Sequence, residues 1–159
     1  MIKNEHQYKT TRKLAVELEV ALATLPNNSE FKALPRLMQK AHSSSLKRQL
    51  AQHYNETREY ELLKAGEFNF DKVPSFENIA IWLIQARIAK GLRQEDLARL
   101  LKLRKQQIQQ YEATDYASAS LHRLEQVFAI LRSCSPSHLV QQGVKHRQKA
   151  SAALRIRRT

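Results

Sequence analysis

Mostly apolar positions near the start of the chain recur at three- and four-residue intervals, at Tyr8, Thr11, Ala15, Leu18, Leu22 and Leu25. That spacing puts them on one face of a helix, so the pattern predicts a helix from about Glu5 to Leu25, stopped by Pro26, Asn27 and Asn28. A second long helix is predicted to open at Pro35, which suits a first helical position. It runs through Leu37, Ala41, Leu46, Leu50, Tyr54, Thr57 and Leu63 and ends at Gly66. Each helix offers only one narrow stripe, so the two must pair with each other, with a second copy of the chain or with another protein. A helical hairpin is the simplest arrangement.

Residues 67–75 lack helical periodicity, and Pro74-Ser75 reads as a helix entry, so a boundary is placed there. Beyond it the pattern predicts helices over about 77–90, closed by Gly91, then 94–101, 105–113 and 120–131. The last has Ser118 or Ser120 as its cap and Leu121, Leu124, Val127, Phe128 and Leu131 as its buried face. A short helix opening at Ser135-Pro136 and closed by Gly143 precedes a basic end, Val144 to Thr159. The expected architecture is all-α: an N-terminal helical hairpin (1–66), a linker (67–75), a compact helix-turn-helix bundle (76–132) and a basic C-terminal tail (133–159).

The segment from Gly91 to Glu112 holds two short helices on a tight connection. Such a pair can lay the second helix in the DNA major groove while the first braces it. Leu97, Ala98 and Leu101 face inward on the first, with Ala98 small enough for close helix contact, and Leu103, Ile108 and Tyr111 match them on the second. Lys105, Gln106, Gln109 and Gln110 are left facing outward, with Gln107 at the flank. Glutamine can pair in a bidentate way with adenine, and lysine can reach guanine or a phosphate. These five residues are the expected base-reading set.

Composition sharpens this picture. The 159 residues carry 27 basic and 15 acidic side chains, a net charge of +12 that favours a polyanionic partner. Residues 132–159 hold seven basic and no acidic residues, which attracts any nucleic acid through counterion release. Cys134 is the only cysteine, so neither an intramolecular disulfide nor a multi-cysteine zinc site can form. No stretch is long and apolar enough to span a membrane, and the polar N-terminus does not read as a signal peptide, so a cytoplasmic, nucleoid-associated protein is expected. The six histidines fall in no catalytic motif, and HExxH, GxSxG and a phosphate-cradling glycine loop are all lacking. Enzymatic activity, a metal and a cofactor are therefore not expected.

Leu92, Gln94, Leu97, Ala98, Leu101, Ile108, Tyr111 and Glu112, in that order, resemble the pattern of the Cro and lambda-repressor type of helix-turn-helix regulator, the XRE family, over about residues 79–131. The resemblance implies a DNA-binding transcriptional regulator, a homodimeric repressor on double-stranded DNA. It implies a phosphate contact by Gln94, base contacts by Lys105, Gln106 and Gln110, and a structural ion pair between Arg87 and Glu112. Three positions depart from the pattern: Arg93 stands for a threonine, Lys102 for the turn glycine and Arg104 for the serine or threonine cap. Lys102 then has to take a left-handed backbone, and Arg104 forgoes a side-chain cap. The three cations, with Gln94, form the expected phosphate-contacting set. The segment from Tyr111 to Leu121 and the hairpin before it also resemble HigA-like antitoxins, which implies the alternative of an antitoxin that holds a toxin protein and represses its own operon.

Overall fold

The computed structural model describes residues 1–72 and 74–133, and these form two compact units that divide after Glu67. Seven α-helices and two single 3-10 turns make up the regular structure of the described residues, and no strand occurs among them. The short helix expected after Ser135 and the basic end lie outside the described residues.

In the N-terminal unit, α1 (Glu5–Thr24) begins where the Asn4 side chain accepts a hydrogen bond from the Gln7 N–H. A 3-10 turn at Leu25–Asn27 ends it, and a one-turn helix, α2 (Ser29–Ala33), follows under the cap of Asn28. The sequence pattern did not show α2, because five residues are too few to display a helical period. α3 (Arg36–Lys64) then runs back antiparallel to α1, as the pairs Glu5–Lys64 (2.9 Å), Tyr8–Glu61 and Tyr54–Glu19 require. The lysine holds the Glu5 carboxyl below its ordinary pKa. Tyr8 also stacks on Tyr60, with ring centroids 5.2 Å apart.

The predicted α1 stripe is the packed one: Ala15 is buried, and Tyr8, Thr11, Leu18, Leu22 and Leu25 are partly covered. On α3 the prediction holds only in part. Leu46, Leu50, Thr57 and Leu63 are covered, but Leu37, Ala41 and Tyr54 are exposed, and Tyr60 is buried in their stead. α3 is nine residues longer than α1, so its first turns, with Leu37 and Ala41, have no α1 opposite them, whereas Tyr54 lies beside α1 and gives its hydroxyl to Glu19.

The second unit begins with Phe68. Part of the stretch read as a linker, residues 68–72, is folded onto this unit: the Asn69 side chain accepts from the Asp71 and Lys72 N–H groups, and the Lys72 carbonyl receives the Trp82 indole N–H at 3.1 Å. Phe68 lies 4.8 Å from Phe70 and 5.6 Å from Trp82, whose other neighbour is Phe128 at 5.0 Å, and the Lys90 ammonium sits 4.5 Å over the Phe70 ring. After a 3-10 turn at Phe76–Asn78 come α4 (Ile79–Ala89), α5 (Gln94–Leu100), α6 (Lys105–Ala113) and α7 (Leu121–Ser133). Leu83, Ile84, Leu97, Ile108, Val127 and Leu131 are completely buried, each contributing about 1.5–3 kcal/mol by burial. Leu121, expected inside, is exposed. It occupies the first position of α7, one turn before Leu124 begins the covered face, and Ser120 supplies the cap by accepting from the Arg123 N–H.

Three helices of this unit end alike, with the N–H of the third residue past the end bonded back to the helix: Leu92 to the Arg87 carbonyl, Leu103 to Ala98 and Tyr116 to Tyr111. The motif needs a left-handed residue, and only the first end supplies a glycine, Gly91. Lys102 (φ 54°) and Asp115 (φ 47°) fill the others, so the expectation of a left-handed Lys102 is met. A left-handed non-glycine residue costs about 1–2 kcal/mol, against the roughly 0.5–1 kcal/mol of extra chain entropy that glycine loses on folding. Lys102→Gly is therefore expected to stabilise the unit by about 0.5–1 kcal/mol. Urea unfolding followed by Trp82 fluorescence checks this, and a lower midpoint would show that the turn is not strained.

Candidate nucleic-acid interface

The interface is held by one buried polar knot. The Arg87 guanidinium of α4 grips the Glu112 carboxylate of α6 through two hydrogen bonds of 2.6 and 2.8 Å, and Arg87 and Glu112 are only 3% and 0% exposed. Arg87 also donates to the Leu92 carbonyl at 2.8 Å, and the Gln94 amide of α5 donates to Glu112 at 2.8 Å. One cluster thus ties α4, the turn after it, the first residue of α5 and the far end of α6 together. Geometry of this kind, bidentate and fully hydrogen-bonded, is what makes a buried ion pair tolerable. The structure brings together the two residues expected as an ion pair.

At about 3.6 residues per turn, Gln106 and Gln110 lie opposite the fully buried Ile108, one above the other on the outer face of α6. Gln109 flanks them on one side, and Ala113, which the sequence reading did not include, continues the same exposed row. Lys105 is exposed in the first turn of α6. No acidic side chain is exposed on α6, because its single carboxylate belongs to the buried Glu112.

Gln107 has a different engagement from its neighbours. Its side-chain oxygen accepts the Arg104 N–H at 3.1 Å, capping the start of α6. Asp96 does the same for α5, accepting from the Arg93 N–H at 3.0 Å. Both helices therefore keep the half of a capping box that reaches back from the third helical residue, and lack the half that a serine or threonine at the cap would supply. Arginine has no acceptor to offer there.

The residues expected at phosphates divide into two groups. Arg93 is paired with Glu95 (2.5 Å) and Asp96 (3.1 Å), and Arg99 joins Asp96 at 3.3 Å. Burial alone raises the Asp96 carboxyl, but the hydrogen bonds and charge of Arg93, with Arg99 beside it, outweigh this and hold it below its ordinary pKa. The Gln94 amide is buried and spent on Glu112. Lys102 and Arg104 are exposed and, like Lys105, form no ion pair among the described residues. The two short helices thus differ at their positive ends: α5 carries Glu95 and Asp96 in its first turn, whereas α6 has no acidic residue there and two cations, Arg104 and Lys105. Cations at a helix N-terminus are unfavourable until an anion arrives.

At the other end of α6, Tyr116 is buried, and its ring stacks on Tyr111 with centroids 6.0 Å apart. Burial and the nearby Glu112 charge push its phenol pKa up, and its hydroxyl finds no hydrogen-bond partner among the described residues. Within the described residues no three His, Cys, Asp or Glu side chains gather as a metal site would need, and no helix is long and apolar enough to cross a membrane.

No curated protein and no solved structure matches the chain. The family model described as helix-turn-helix matches residues 83–139, which take in the buried knot, both short helices and α7. The match covers α5, its left-handed turn and α6, so this part of the chain is a helix-turn-helix domain, and the match supports a DNA-binding transcriptional regulator of the XRE type.

Proposed function

We propose that the protein is a sequence-specific repressor that binds double-stranded DNA as a homodimer and inserts α6 into the major groove. The observation that carries this reading is the outer face of α6: glutamines without an exposed carboxylate, on a helix whose N-terminus adds two cations to its own positive end. Gln106 and Gln110 point furthest from the core and are the principal base readers, with Gln109 and Lys105 at their sides. Ala113 offers a methyl group to a thymine. Lys102 and Arg104, free of ion pairs, meet phosphates, whereas Arg93 reaches one only by giving up its carboxylates and Gln94 only through its backbone N–H. Two copies would set their reading helices about 34 Å apart on a near-palindromic site. Acting on chromosomal DNA, such a regulator works at the nucleoid, in the cytoplasm.

Titrating the full chain against its own upstream DNA and against a scrambled duplex, at two salt concentrations, tests the reading. A site-specific, salt-sensitive complex supports it; equal binding to both duplexes would reduce the interaction to bulk charge. Within the same assay Arg104→Ser is expected to weaken both complexes and to lower the salt slope by about 0.9, the share of one phosphate contact. An unchanged slope would remove Arg104 from the interface. A second reading, an antitoxin that also holds a toxin, draws on the N-terminal hairpin, where Val16, Val20, Leu37, Met38 and Tyr54 stay exposed. Coexpression with the product of a neighbouring small gene, scored for rescue of growth, tests that reading.

A further inference from the structure

Between α1 and α3 an open groove of about 610 Å³ is lined by Arg12, Ala15, Val16, Tyr54, Arg58 and Glu61. Arg12 and Val16 on α1 and Tyr54 and Arg58 on α3 belong to rows at four-residue spacing that run on past the groove to Val20 and Leu62. Such rows face one way on a helix. Val16 is 52% and Tyr54 45% exposed, so the apolar part of the groove is open to solvent, and Val20, 57% exposed, extends the same row beyond it. Arg12 and Arg58 form no ion pair among the described residues, whereas Glu61, the one carboxylate in the groove, receives the Tyr8 hydroxyl. The antiparallel run of the hairpin brings the two guanidiniums toward one end and leaves Val16, Val20 and Tyr54 toward the other.

We propose that this groove receives an amphipathic helix of another protein, one whose aliphatic residues cover Val16, Val20 and Tyr54 and whose carboxylates meet Arg12 and Arg58. An apolar stripe with matching charge at its edge is how a helix is recognised in a groove. Charge argues against a second copy: laid groove to groove, two chains would bring four guanidiniums against two carboxylates, both already taken by tyrosine. The exposed valines and Tyr54 argue against nucleic acid, since phosphates would leave them wet. The proposal concerns the N-terminal unit and is independent of base reading by α6.

The test is fluorescence anisotropy of the full chain with a labelled synthetic helix of about 18 residues, five turns, carrying leucines on one face and glutamates along its edges, and with a twin in which lysines replace the glutamates. The acidic helix is expected to bind at least about 10-fold more tightly than its twin, and Arg12→Glu with Arg58→Glu to reverse that preference. Lys32→Glu with Arg36→Glu, the same change in net charge placed around the α2–α3 connection, is expected to preserve it. Circular dichroism of each variant establishes that the helices are intact. Failure of the acidic helix to bind, or an equal loss in both double variants, would overturn the proposal. So would efficient competition by a scrambled DNA duplex for the same groove, or a change in self-association on Arg58→Glu in sedimentation, each naming a different occupant.

Discussion

Glu112→Ala is expected to cost the helix-turn-helix unit about 3–5 kcal/mol, because it leaves the Arg87 guanidinium buried without its counter-charge. Against a total stability of about 5–15 kcal/mol for a small domain, that loss brings the unit close to unfolding at room temperature. The loss exceeds that of an ordinary surface ion pair, at most about 1 kcal/mol, because neither partner can fall back on water. Trp82, the only tryptophan, lies inside this unit, so its fluorescence in urea reports this transition directly. Replacing both partners by apolar residues, Arg87→Met with Glu112→Leu, should recover most of the loss, since no buried charge is then left alone. Recovery of stability need not bring recovery of DNA binding. The pair also sets where the end of α6 sits against α4 and Leu92, and Gln94 would lose its acceptor. A cost below about 1 kcal/mol for Glu112→Ala would mean that water reaches the Arg87 guanidinium.

The second large effect concerns specificity. Gln106→Ala and Gln110→Ala are each expected to lose about 1–3 kcal/mol on the cognate site and almost nothing on random DNA, the signature of a bidentate base contact. Gln107→Ala should behave differently: its side chain caps α6 through the Arg104 N–H, so its loss lowers stability by about 1 kcal/mol and affects both DNAs alike. Binding isotherms on the two duplexes, with urea unfolding of the same three variants, separate the roles. Equal losses on both DNAs for the Gln106 and Gln110 variants would assign them to nonspecific contact, and a base-specific loss for the Gln107 variant would return it to the reading set.

The contrast between Gln107 and its neighbours marks how far the sequence reading reached. Six of the seven helices were legible, because each is long enough to show its period or sits between clear stops such as Pro26, Gly66 and Gly91. The left-handed Lys102 was legible too, because it stands where the pattern that the chain resembles has its turn glycine. Side-chain assignments on α6 were legible only as far as facing outward. Gln106, Gln107, Gln109 and Gln110 are the same residue type on one short helix, and nothing in the order of residues says that one of them turns back to the cap. Arg93 was read as a phosphate contact from its place in the turn, yet Glu95 and Asp96 already hold it.

Residues 67–75 teach the same lesson from the other side. Without a period they read as a linker, but Phe68 packs on Trp82 and Phe70 on Phe68, within the second unit. Side-chain packing across 12 or more residues leaves no trace in local periodicity, so an aromatic pair in a loop gives no sign of whether it is buried or wet.

By itself the sequence determined the all-α class, the hairpin, the order of the helices and which face of α6 looks outward, because these follow from helical period, stop residues and the requirement that apolar faces be covered. Only the tertiary structure decided which polar side chains are already spent: Gln94 on Glu112, Gln107 on the α6 cap, Arg93 on two carboxylates, while Lys102, Arg104 and Lys105 form no ion pair among the described residues. The physical reason is that hydrogen bonds and ion pairs depend on distances of about 3 Å between groups, and within and between helices those distances are set by side-chain rotamers and packing rather than by spacing along the chain.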